Sequence, residues 1–260
     1  MIEFSFCVPT AYLDDFDSLQ DFHLLLAHLV EPSNAYTKFY SQNSKWKVLD
    51  NGAVECGVAM EAEKMCEKIE LTQPNEVVLP DIWKDAQKTI RTADRSIKLF
   101  RDAFGPDIKF MGVVQGLELE SLVQSFNWFN QHPEIYSIGF GYRGLLPALF
   151  STHPGINRLR FLSYLLSKLT INKVIHLLGM PSDGGLELMG YRHAGLYLRL
   201  DTGDPTKLAL AGKEISQFGT FEKPSPFDLD FSIKVGPKVL LQIWNNCMKL
   251  RAFASEVYVR

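Results

Sequence analysis

The sequence predicts an α/β fold, a (β/α)8 TIM barrel, on three observations. Short runs rich in β-branched and aromatic residues alternate with stretches long enough for a crossover helix, which calls for parallel strands with helices outside them. Several of these runs end in a polar or glycine-containing tip, and in a barrel such tips converge on one face. After the first run stands VPTAYLDD, with no glycine-rich phosphate turn, so an open dinucleotide-binding sheet is disfavoured. At 260 residues and 46% hydrophobic content, one domain over residues 1–260 is expected.

Seven strands are expected, at 3–8, 46–49, 76–79, 109–114, 136–138, 174–178 and 196–200. The eighth is less distinct and is placed between about 215 and 235, unless the barrel is irregular. Pro224, Pro226 and Pro237 make that segment loop-rich, and Pro237–Ser255 reads as a final helix. One helix carries Trp83, Ala86, Ile90, Ala93, Ile97, Phe100 and Phe104 on a face that docks on the barrel. Lys84, Lys88, Arg91, Arg95, Lys98 and Arg101 form a parallel stripe, which reads first as a solvated face.

Charge and cysteine usage narrow the function classes. The net charge of -3 gives no overall pull toward a polyanion. Its distribution is uneven: residues 1–142 carry 12 basic and 21 acidic side chains, whereas residues 143–260 carry 15 and 9. A polyanion is therefore expected to meet mainly the C-terminal half. Cys7, Cys56, Cys66 and Cys247 form no CxxC pair, so neither a disulfide framework nor a zinc knuckle is expected, and the metal and cofactor expectation is none. No apolar run reaches the roughly 18 residues of a membrane span and no signal-peptide layout opens the chain. No membrane partner and a cytoplasmic location are expected.

The strand tips carry the candidate chemistry: Asp50 in LDNG, Asp81 in LPD, Gln115 in VQG, Gly139 to Gly141 in IGFG, and Asp201 in RLD. Singly each has a bland reading, since a carboxylate after a strand is often a helix N-cap and Asp81 stands just before a helix. Together, three carboxylates, an amide and glycine-exposed backbone would face one cavity. That set suits a flat ligand with many hydrogen-bonding groups, such as a purine, because carboxylates accept from N–H groups while amide and backbone groups serve the opposite edge. His153, His176 and His193 show no ligand spacing and read as core or surface residues.

The motifs also resemble those of a known family. LDNGA resembles the DSGG strand tip of the tRNA-guanine transglycosylases, FMGVVQG their G-I-V-Q-G segment, YSIGFGYRG their A-I-G-G-L stretch and VIHLLGM their Y-L-M-G-V strand. LRLDTGDPTK resembles their F-D-x-x-x-P-T-R motif, with Asp201, Pro205, Thr206 and Lys207 in register. The five matches occur in the family's order between residues 49 and 207, about 60% of the chain. The resemblance implies that Asp201 is the nucleophile attacking the sugar C1′ atom, and that Asp50 is the acid/base for the departing and arriving bases. It further implies that Asp81, Gln115 and the backbone of Gly139, Phe140 and Gly141 bind the base, with Leu178 over its face and Tyr142 as a stacking candidate. Lys207 stands at the family's arginine and would hold phosphate as a point charge, with Arg143 and Arg199 as further phosphate candidates.

The chain departs from the family in lacking its C-x-C-x-x-C and distal histidine zinc insertion. Asn51, Ala53, Phe140 and Tyr142 also replace smaller residues of the family pattern. A compact, zinc-free relative is similar to the phage and bacterial branch that exchanges guanine in DNA for 7-deazaguanines. The expected partners are thus DNA, with tRNA as the alternative, and a free 7-deazaguanine base such as preQ0 or preQ1. A homodimer or a partner protein is a further expectation, and for a phage-encoded chain the location would be the host cytoplasm. A non-catalytic barrel subunit that binds nucleic acid is the alternative from another function class.

Overall fold

Eight parallel strands form a nearly closed barrel in the computed structural model, which describes residues 1–142, 153–181, 184–194, 197–216 and 230–255. They are β1 (Ile2–Phe6), β2 (His23–Leu26), β3 (Lys47–Asp50), β4 (Glu76–Val78), β5 (Lys109–Val113), β6 (Ile135–Gly141), β7 (Val174–Leu178) and β8 (Leu198–Thr202). The ladder runs β1-β8-β7-β6-β5-β4-β3-β2. All seven expected strands are present, with ends shifted by at most three residues.

The eighth strand is a correction to the sequence reading. It is β2, not a segment near 215–235, and the described residues of that segment, 215–216 and 230–235, hold no strand. β2 reads HLLL and is buried at all four positions, because its two faces meet the barrel interior and the surrounding layer. Without a polar face it shows no alternation.

The join between β1 and β2 is made mainly by side chains instead of a ladder. Phe6 donates its N–H to Oε1 of Gln20 at 2.6 Å, and Nε2 of Gln20 donates to the Phe6 carbonyl at 3.0 Å. Phe4 donates to Oδ2 of Asp21 at 2.9 Å, Asp21 donates its own N–H to the Phe4 carbonyl, and Leu24 donates to the Ser5 hydroxyl at 2.8 Å. These bonds satisfy edge groups that would otherwise be buried without partners.

Helices cover the outside. Those that position the site are α1 (Leu13–Phe16), α2 (Ala35–Gln42), α3 (Ala53–Cys56), α4 (Ala62–Thr72), α5 (Ala86–Phe104), α6 (Leu119–Gln131), α7 (Pro154–Lys168), α8 (Gly184–Ala194), α9 (Asp204–Leu210) and α10 (Pro237–Ser255). The last has the bounds expected from sequence. No helix of the described residues is long and apolar enough to cross a membrane.

Strand parity divides the core. Outward residues such as Leu25, Leu49, Val77, Phe110, Ile138 and Leu200 pack under the helices, while Phe22, Leu24, Leu26, Val48, Val78, Met111 and Val113 fill the barrel interior. Deeper inside lies a buried ion pair: Arg199 holds both Glu76 oxygens, at 2.8 and 3.0 Å, and Glu76 also accepts from the Trp46 indole and the Ser137 hydroxyl.

Candidate active site

At the carboxyl end of the strands a cavity of about 590 Å³ opens, within the size range of small-molecule sites. Seven of the residues expected from sequence line it: Asp50, Asp81, Gln115, Gly141, Leu178, Asp201 and Lys207. They come from six strand ends or the loops just beyond them, plus α9, so the fold gathers positions spread over more than 150 residues of sequence. Tyr142 lines the cavity too.

Asp201 projects inward from β8 and is held from the side of β7. Its Oδ1 accepts from Nε2 of the fully buried His176 at 2.9 Å, and the Gly179 N–H lies 3.3 Å from each carboxylate oxygen. Burial drives the His176 pKa down against the opposing pull of Asp201, so the ring is neutral and carries its proton on Nε2, facing the carboxylate.

Asp50 ends β3, where Gly52 at φ +72° turns the chain and returns its N–H to Oδ2 of Asp50 at 2.8 Å. Desolvation, then the charge of Glu55, pushes the Asp50 carboxyl well above the usual carboxylate range, with smaller contributions from Asp201 and Asp81. The Gly52 N–H opposes that rise. An acid near Asp201 is thus poised to carry a proton where an ordinary aspartate would have lost it.

Asp81 is clamped by two amides: Oδ1 accepts from Asn51 at 2.7 Å and Oδ2 from Gln115 at 2.5 Å. Burial still raises its pKa. Asn51 also donates to the Leu79 carbonyl and accepts from the Ala53 N–H, so the β3 and β4 tips are stitched together. Asp81 is not the helix cap that its position suggested. Asp85 caps α5, accepting from the Lys88 N–H at 2.9 Å.

Several expectations need correction. Phe140 faces away from the cavity and packs with Phe126 and Phe161 under the helices, as strand alternation requires between inward Gly139 and Gly141. Its carbonyl is taken by Arg158 at 2.9 Å. Gly139 also does not line the cavity. A Cβ there would meet Leu178 Cδ1 at 2.8 Å, so the glycine makes room for Leu178, and its carbonyl accepts from Val114. Arg199 is buried below the site and bound to Glu76, which removes it from any phosphate. Arg143 lies outside the described residues.

Other residues were not foreseen. His176 was read as core or surface, though period two along 174–178 puts it on the inward face beside Asp201. Cys7 also lines the cavity, and burial together with Asp201 and Glu55 keeps its thiol protonated. Arg158 is wholly buried, paired with Glu187 at 2.6 Å, and donates to the carbonyls of Phe140, Leu178 and Gly179. It ties the β6 and β7 ends on which the Gly179 donor depends. Among the described residues no three His, Cys, Asp or Glu side chains are grouped to hold a metal ion.

The chain matches no family model, and no curated protein matches it.

Proposed function

We propose that this protein is a guanine transglycosylase that exchanges guanine in DNA for a 7-deazaguanine, through a covalent intermediate on Asp201. One observation carries the reading: two carboxylates, Asp50 and Asp201, share a cavity with room for a purine nucleotide in unlike surroundings, one whose ionisation burial opposes and the other hydrogen-bonded to a neutral histidine. A carboxyl whose ionisation burial opposes suits a proton donor, and a carboxylate oriented by a hydrogen bond suits a nucleophile.

The reaction follows from those roles. Oδ2 of Asp201 attacks C1′ as the bond from C1′ to guanine breaks, and Asp50 gives its proton to the departing base. Negative charge beside C1′ stabilises the oxocarbenium-like transition state. In the second half the arriving 7-deazaguanine loses a proton to the Asp50 carboxylate and attacks C1′. The ester bond breaks and Asp201 is restored. Asp81 and Gln115 meet the polar edge of the base, Leu178 covers its face, and Lys207 faces the phosphate. None of the ion pairs among the described residues engages Lys207, which leaves its ammonium available. A duplex substrate must present its base unstacked, at a cost of roughly a few kcal/mol. No cofactor takes part, and the cytoplasm is the location that fits such a substrate.

The test is incubation with labelled guanine and either DNA or tRNA. Label entering DNA is expected, and Asp201→Asn abolishes it. Label in tRNA alone would transfer the chemistry to the other polymer, and label in neither would overturn the assignment.

A further inference from the structure

The loops that follow β3, β4 and β5 are neighbours round the cavity mouth, and each exposes large apolar side chains: Val54 (47% exposed) and Val58 (66%), Trp83 (60%), and Leu117 (62%). Val54, Val58 and Trp83 also line the cavity. A cluster of exposed apolar side chains at a cavity mouth is unlike scattered surface hydrophobics and marks a contact surface.

Trp83 does not stand out by looseness of its loop. Ile82 exchanges hydrogen bonds with the Thr89 hydroxyl through both its N–H and its carbonyl, at 2.9 and 3.1 Å, and Asp85 returns its N–H to the Ile82 carbonyl at 3.0 Å. Lys84 adopts φ +61°, a conformation that disfavours L-residues, and its N–H is held by Oε1 of Gln115 at 3.0 Å. The fold thus stores strain in a turn that keeps an indole in solvent, a pattern associated with function. Gln115 also binds Asp81, so the lip and the base-reading edge share one support.

Cations continue from the indole. Nζ of Lys84 lies 5.2 Å from the Trp83 ring, and Arg91, Arg95 and Lys98 follow along the outer face of α5. Lys88 pairs with Asp85 and Arg101 with Glu134, while Lys84, Arg91, Arg95 and Lys98 are in no ion pair among the described residues.

We infer that the lip is a nucleic-acid contact: the base next to the nucleotide in the cavity stacks on Trp83, and the adjoining phosphates pass Lys84 toward Arg91. An aromatic plane beside unpaired cations matches a nucleotide, which offers a π-face and an anion together. A twofold self-contact fits less well, since the same patch meets itself and would set these cations against their own copies. The inference rests on the proposed reading for the nucleotide in the cavity, and it moves the main polyanion contact from the C-terminal half to the β4–α5 turn.

The experiment uses the full chain carrying Asp201→Asn, so that binding is read without turnover. Fluorescence anisotropy follows a labelled single-stranded DNA 12-mer, and calorimetry follows free guanine. Adding Trp83→Ala is expected to weaken DNA binding roughly 5- to 100-fold, by a larger factor than it weakens guanine binding, with Trp83→Phe recovering most of the DNA affinity. Equal DNA affinity in the Trp83→Ala variant overturns the inference. So does conversion of a dimer to a monomer in sedimentation, which would make the lip a self-contact. Exchange activity of the unmutated chain is scored separately. Normal exchange with Trp83-independent binding sinks the lip alone, and no exchange with Trp83-dependent binding sinks the enzymatic reading alone.

Discussion

The imidazole of His176 and the carboxylate of Asp201, 25 positions apart in sequence, meet at 2.9 Å because β7 and β8 run side by side with both residues facing inward. The bond occupies Oδ1 and leaves Oδ2, met among the described residues only by the longer Gly179 contact, as the freer oxygen at the cavity. Since the ring is neutral, it supplies direction to the carboxylate without adding a charge.

His176→Phe therefore keeps the ring's bulk but removes the donor. Its kcat for base exchange is expected to fall roughly 10- to 100-fold with KM little changed, the effect of a displaced reacting group. Nitrogen NMR of the unmutated chain is expected to report the Nε2–H tautomer, and an Nδ1–H ring would remove the basis of this prediction.

Asp50→Asn should separate function from stability. The folded carboxyl resists ionisation, whereas the unfolded one ionises near its ordinary value of about 3.8, so the acid costs folding energy as pH rises above that value. The amide removes this cost. The variant is expected to lose exchange yet melt a few degrees higher at pH 7, with the gain shrinking as pH falls toward 4. A lower melting temperature at pH 7 would contradict the account.

Arg158→Met leaves Glu187 buried without its cation and unties three carbonyls at the β6 and β7 ends. Urea denaturation is expected to show a loss of roughly 3–5 kcal/mol, much of which returns when Glu187→Leu is added. A double variant no more stable than the single one would assign the loss to the carbonyl contacts instead of the stranded charge.

Two cations eight positions apart should respond differently to salt. Lys207→Gln is expected to lower the salt slope of DNA binding by about one, as removal of one phosphate contact does. Arg199→Met leaves the slope unchanged and destabilises the fold, since Glu76 loses its partner. A slope that changes with Arg199 and not with Lys207 would reverse the two roles.

Much of this arrangement was legible because each site strand ends on its functional residue. Asp50, Gln115 and Asp201 close runs of apolar residues, and the barrel then brings the ends together. Period two could also have placed Arg199 inside, one layer below Asp201, and turned Phe140 outward between two glycines. What sequence could not show is pairing. Nothing along the chain links Asn51 to Asp81 or Arg199 to Glu76, since the first bond exists only once β3 and β4 pair and the second only after the sheet curls. β2 escaped for a different reason: HLLL is apolar on both faces and follows β1 after only short helical turns.

The side-chain seam between β1 and β2 has a consequence for how the barrel is assembled. Asp21, which bonds Phe4 across that seam, also pairs with Arg251 at 2.8 Å, and Arg251 donates to the Leu19 carbonyl at 2.5 Å. The first two strands can thus lie adjacent early in synthesis, but the latch over their join arrives only with α10, the last helix described. A nascent chain stopped before residue 251 would hold a ring with an unfastened clasp, exposed to proteases at residues 19–24 until the final turns dock.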